Sequence, residues 1–247
     1  MKFPTFADLD QDQRRVYSES PQDKGVLIVG PPGSGKTVLA MHRATRLSKS
    51  GDVIVGMFNK TLRQYTSNFE GLPKNVKVVH IHEWAKEWYE SAFGKGSFPT
   101  TYGKPWEINW AKIDQNITSA TDTQKSKLHW GHLIIDEGQD LLSFSFINFL
   151  DKVLKNNFEN GSWRWFMDLN NQAGVDSAHT IIDINYPPED APPFFNASVD
   201  SLKANNEESE LVFEMLNDAK PSKIKLTHNC RNTEEIIYDT QLNTGAD

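Results

Sequence analysis

The run Val26-Leu27-Ile28-Val29-Gly30-Pro31-Pro32-Gly33-Ser34-Gly35-Lys36-Thr37-Val38-Leu39-Ala40 constrains this chain more than any other. Its first residues are apolar and branched, the pattern of a parallel strand buried on both faces. They lead directly into G-x-x-x-x-G-K-T and then into a helical stretch. Gly33 and Gly35 carry no Cβ, so the backbone there can bend tightly and bring its N–H groups against a polyphosphate. The following helix aims the positive end of its dipole at the same place. Lys36 adds a point charge suited to the β- and γ-phosphates, and the Thr37 hydroxyl is placed to ligate Mg²⁺. Gly33, Ser34, Gly35, Lys36 and Thr37 are therefore the expected lining of a nucleoside-triphosphate site.

Composition sets bounds on the partners. With 247 residues there is room for one α/β domain and an appendage. The formal net charge of −7 supplies no global positive field, so any nucleic acid has to be held by a local patch. A single cysteine, Cys230, excludes an internal disulfide framework and a Cys-based zinc site, and suits a reducing compartment. The N-terminus lacks the apolar core of a signal peptide, and no apolar run approaches membrane-spanning length. A cytoplasmic protein with no membrane partner is expected.

Taken in order, residues 9–17 read as a short helix that Asp8 or Asp10 can cap. Its Gln13 both donates and accepts, which matches the adenine edge, and it gains interest from the phosphate loop close behind. A second strand over 52–58 ends on Phe58, followed by Asn59 and Lys60, polar residues at the carboxyl end of a strand where open α/β sheets bind ligands. A third strand over 76–82 carries His80 and His82 with no evident third metal ligand. Residues 91–124 read as a short insertion with a little helix of its own and no assigned chemistry. The apolar run ending in Asp136 and Glu137 provides what a Mg-nucleotide site still needs. Asp136 is suited to the Mg²⁺ shell, and Glu137 to accepting a proton from the attacking water. Residues 183–218 read as an acidic, Pro-rich connection ending in a helix, and 224–227 as a further strand.

Together these residues resemble the UvrD/Rep-like family of superfamily 1 DNA helicases. Gln13 looks like the family's N-terminal glutamine, and Gly30 to Thr37 like its first motif. Phe58-Asn59-Lys60 and the stretch from Val78 to Trp84, with His80 and His82, resemble segments that touch single-stranded DNA. Asp136-Glu137-Gly138-Gln139-Asp140 is similar to D-E-A-Q-D with Gly for Ala. Asp168 to Gln172 resembles the third motif with one extra residue, and Leu226 to Asn232 the fourth, with Cys230 in place of an adenine-stacking Tyr.

The resemblance implies an α/β P-loop NTPase of RecA-like type, with a central, mostly parallel sheet flanked by helices. It implies an ATP-binding lobe over 1–222 and the start of a truncated second lobe over 223–247. ATP and Mg²⁺ are the implied cofactors. Gln139 and Gln172 are implied to couple the γ-phosphate to the DNA track, and Arg231 to reach that phosphate from the second lobe. The expected function is ATP hydrolysis driving movement on single-stranded DNA once the second lobe is joined, with weak activity from this chain alone. The alternative is a nucleotide-sensing interaction module that unwinds nothing and acts with a protein partner such as a nuclease in a defence or repair complex. The acidic balance and the short insertion favour the alternative; the retained Glu137, Gln139 and Gln172 favour the motor.

Overall fold

The strand that feeds the Gly-rich turn is buried along its whole length, and its side chains alternate between two apolar clusters. Val26 and Ile28 enter one cluster, Leu27 and Val29 the other. A strand covered on both faces has no polar side to show, which is why it reads as an unbroken apolar run. The computed structural model describes residues 4–58, 60–67, 71–141, 143–167, 183–184, 194–195, 202–203 and 207–226.

A 3₁₀ turn at Phe6–Asp8 precedes α1 (Gln11–Glu19), β1 (Val26–Val29), α2 (Lys36–Leu47), β2 (Val53–Met57), α3 (Lys60–Ser67), β3 (Val76–His80) and α4 (Ile81–Phe93). The chain continues through β4 (Thr100–Thr101), β5 (Lys104–Ile108), α5 (Trp110–Thr118), α6 (Asp122–Leu128) and β6 (His132–Asp136). After a 3₁₀ turn at Gly138–Leu141 come α7 (Phe144–Val153), α8 (Asn157–Asn160), β7 (Ser162–Met167), β8 (Asp183–Ile184), β9 (Phe194–Phe195), β10 (Leu202–Lys203), α9 (Glu207–Asp218) and β11 (Ser222–Lys225).

The main sheet has the order β3-β2-β6-β7-β1-β11-β9. Its first six strands are parallel, and β9 runs antiparallel to β11 at the edge. On one face α2 packs through Leu39, Ala40, Met41, Ala44 and Leu47 against Ile28, Val55, Ile134 and Phe166. On the other, residues of α4, α5, α7 and α9 cover Leu27, Ile54, Ile135 and Trp165. This is the expected α/β architecture, a parallel sheet between two helical layers. The strand order reverses direction around β1, and such a switch opens a crevice at the carboxyl edge of the sheet.

Three boundaries differ from the sequence expectation. The third strand stops at His80, and His82 lies in the first turn of α4. Glycine at 56 permits this early start, because a Cβ there would meet the Ile81 side chain of the helix packed over it. The 91–124 insertion contains a hairpin, β4–β5, in addition to helices. The last strand, expected at 224–227, runs from Ser222 to Lys225 and pairs with β1 in the main sheet. The expected lobe boundary at 223 thus falls inside a strand of that sheet, and residues 227–247 lie outside the described set. No described helix is long and apolar enough to cross a membrane.

Candidate functional site

At the carboxyl end of β1 the chain enters the Gly-rich turn, with Gly33 at φ 82° and Gly35 at φ 79°. Gly35 is the residue before α2. Its left-handed backbone favours glycine, and a Cβ would in addition overlap the Gln13 amide. Gln13 is itself buried and fixed from both sides. Its amide nitrogen donates to the Ser34 carbonyl at 2.9 Å, and its amide oxygen accepts from the Asp10 N–H at 3.1 Å. The Asp10 carboxylate returns the contact by accepting from the Gln13 N–H at 2.7 Å, closing a capping box on α1. The expected helix cap is therefore Asp10, and the same exchange locks Gln13 against the loop.

Lys36 is buried, and its Nζ donates to the carbonyls of Gly30 at 2.7 Å and Pro31 at 2.9 Å. The ammonium thus stands inside the turn that the backbone makes around a phosphate position. Asp136, at the carboxyl end of β6, is 0% exposed. Burial, and then the charge of neighbouring Glu137, push its carboxyl up to about 6, while Thr37, Lys36 and the Glu137 backbone pull it down. Loop and carboxylate therefore share one crevice. The Thr37 hydroxyl approaches Asp136 without reaching hydrogen-bond geometry, and both carboxylate oxygens are without a hydrogen-bond partner.

A buried, unpartnered carboxylate is unfavourable by itself. Beside a Thr hydroxyl and a phosphate-binding turn, it is the donor set that Mg²⁺ takes together with phosphate oxygens and water. The residues present fit a Mg-nucleotide.

Glu137 adopts φ 53°, in the left-handed region, although it is not glycine. Its Oε2 accepts from Gln139 Nε2 at 2.7 Å. Gly138 follows with an ordinary backbone, yet a Cβ on it would overlap the indole of Trp165 on β7. From sequence Trp165 is expected only as a residue of a strand over 163–168, with no role at the site; the one available signal is the Gly standing where the resembled motif has Ala.

The cross-strand register extends the site sideways. Met57 of β2 pairs with Asp136 on one side and His80 on the other. At the usual strand spacing, Asp136 and His80 stand about 10 Å apart along one edge. There the rings of Phe58, His80 and His82 lie with centroids 5.9–6.1 Å apart. His82 in turn meets Phe146 edge-on at 5.0 Å. Burial lowers both histidines below the usual imidazole range, so the rings are neutral at neutral pH. Phe58 keeps 42% of its surface exposed. Lys60 pairs with Glu83 at 3.1 Å on the surface beside the rings. Asn59, Gln172 and Arg231 lie outside the described residues.

Among known proteins, the family described as an AAA domain matches residues 13–159. Cytoplasmic dynein 2 heavy chain 1 of Mus musculus and that of Rattus norvegicus are each 29% identical over 103 residues, 41% of this chain. The chain spans only 2% of the length of these relatives. A solved structure described as the basis for DNA unwinding at forked double-stranded DNA by two coordinating Pif1 helicases aligns with a TM-score of 0.45 and 15% identity. That alignment covers 95% of this chain and 47% of the other.

Proposed function

The chain belongs to the AAA domain family, and from that premise we propose that it is the ATP-binding lobe of a UvrD/Rep-like superfamily 1 helicase or ATPase. The observation that carries the reading is the shared crevice, in which the buried, unpartnered Asp136 faces Lys36 and Thr37 of the phosphate loop. In this reading Gly33, Ser34 and Gly35 wrap the phosphates, and Lys36 leaves the Gly30 and Pro31 carbonyls for the β- and γ-phosphates. Thr37 and Asp136 hold Mg²⁺, which supplies positive charge to the phosphoryl oxygens. Glu137 orients and deprotonates water in line with the γ-phosphate. Gln172 and Arg231 complete the site, with Arg231 carried by a second lobe that follows β11. Arginine charge across a lobe interface provides much of the rate in such ATPases, so this chain alone hydrolyses ATP slowly.

Phe58, Asn59, Lys60, His80 and His82 form the track for single-stranded DNA. Exposed Phe58 and neutral rings support stacking, which suits unpaired bases and needs no global positive field. The test is a pair of variants under single-turnover conditions, with protein in excess. Lys36→Ala is expected to abolish nucleotide binding, and Glu137→Gln to keep binding and lose turnover. Equal ATP affinity in the wild type and Lys36→Ala overturns the assignment of the loop.

The sensor reading, a module acting with a protein partner such as a nuclease, is favoured by the net charge of −7. It parts from the motor reading at one measurement. Joined to a second lobe, a motor's ATPase rises with single-stranded DNA, whereas a sensor's does not.

A further inference from the structure

The left-handed backbone at Glu137 is an unusual place for a side chain that is to handle water. Non-glycine residues hold such a conformation only where their surroundings over-determine it. The glycine in this turn is at the next position, 138, whose backbone is one that any residue adopts. Its lack of a Cβ therefore answers a need for space, and the space is taken by Trp165. That indole is wholly buried, and its Nε1 has no hydrogen-bond partner. A donor left unmatched in the core is retained here for the shape of its ring. Trp165 stands on β7 between the two strands that bear the site, opposite Ile135 of β6 and Leu27 of β1.

We propose that Trp165 is a positioning residue for Glu137, its indole acting as the floor against which Gly138 is pressed so that residue 137 keeps its left-handed turn. The glycine and the tryptophan are one complementary pair. A methyl group at 138 lifts the turn off the ring, a smaller ring at 165 lets the turn sink, and both changes together restore the fit. Glu137 Oε2 is steadied separately by Gln139, so loss of the floor misplaces the backbone without removing the carboxylate.

The inference rests on the reading of Glu137 as the residue that handles water, and the experiment separates the two. Single-turnover ATP hydrolysis and Mg·ATP affinity are measured for wild type, Glu137→Gln, Gly138→Ala, Trp165→Phe and the double variant Gly138→Ala/Trp165→Phe. Each single change at 138 or 165 is expected to slow turnover about tenfold while affinity stays within about twofold, the pattern of a lost transition-state arrangement. The double variant is expected to recover to within about threefold of wild type, the coupling of two residues in contact, while the loss of turnover at unchanged affinity in the single variants is what a merely structural defect does not give. If Gly138→Ala does not fold, Trp165→Phe and the double variant decide the matter. Wild-type turnover in Trp165→Phe, or a double variant no faster than the slower single one, overturns the positioning role alone. An inert wild type, or Glu137→Gln at the wild-type rate, overturns the reading of Glu137 and the inference with it.

Discussion

Gln13 Nε2 donates to the carbonyl of Ser34, joining the first helix to the middle of the phosphate loop across 21 residues of chain. A side chain tied to the loop backbone acts on every nucleotide alike, whatever base it carries. Gln13→Ala is expected to weaken ATP and GTP equally, by about tenfold, the worth of one buried hydrogen bond and the loop order that depends on it. Titration of both nucleotides against wild type and variant checks this. A loss confined to ATP would show that Gln13 acts on the adenine.

Asp136→Asn separates stability from function. Its carboxyl is raised from 3.8 to about 6, so the folded protein holds the proton more tightly than the unfolded chain. Stability is therefore lost as pH rises from about 4 through 6, by up to roughly 3 kcal/mol. In buffer without Mg²⁺ or nucleotide, the Asn variant is expected to melt higher than wild type at pH 7.5 and at about the same temperature below pH 4. The rise in melting temperature that Mg·ATP gives wild type should disappear. An Asn variant less stable at pH 7.5 contradicts the account of a carboxylate kept without partners.

Phe58 and Lys60 should fail in different ways. Phe58→Ala removes a stacking face, and about a tenfold loss in single-stranded DNA affinity is expected, with the salt dependence unchanged. Lys60→Ala removes one cation, so the slope of log affinity against log salt should flatten by about 0.7. Affinity measured by fluorescence anisotropy across a salt series distinguishes them. If neither variant changes binding, the ring cluster is not the track.

A second titrating group lies at the opposite edge of the sheet. His132 touches Ser162 Oγ through Nδ1 at 2.7 Å and Ser50 Oγ through Nε2 at 3.1 Å. Ser162 in turn donates to the Gln22 carbonyl at 2.7 Å. Burial, and then the charge of Arg164, lower its imidazole to about 4. The unfolded chain therefore binds the proton first, and stability is lost as pH falls from 6.5 towards 4, by up to about 3 kcal/mol. Denaturant melts between pH 7 and 4.5 should show this slope in wild type and a shallower one in His132→Gln.

The strands and the loop were legible because their physics is local. Val26–Val29 and Leu133–Ile135 are buried on both faces, so they read as unbroken apolar runs, and the turn after β1 announces itself by Gly, Lys and Thr at fixed spacing. The hairpin of β4 and β5 was not legible, since Thr100–Thr101 is two residues long and β5 carries exposed Lys104 and Glu107 around a proline. The start of α4 at Ile81 was also hidden, because a close helix-to-strand contact at Gly56 decides it. Pairings across long sequence distance escaped as well. Nothing near Gly138 names Trp165, and nothing near Gln13 names Ser34. Most of the site's side chains were visible one at a time; what holds them in place was not.

The first helix is fastened at both ends of the sheet. Gln13 grips the loop at one edge, while at the other the guanidinium groups of Arg43, Arg46 and Arg164 collect the carbonyls of Tyr17 and Pro21. Trimming the chain to begin near Lys24, a tempting choice for expression because no strand is touched, would take the Tyr17 and Pro21 carbonyls from three arginines, leaving Arg164 with Ser162, and free the turn that cradles phosphate. Damage of this kind would surface as poor solubility and feeble nucleotide retention together, from a region that carries none of the reacting groups.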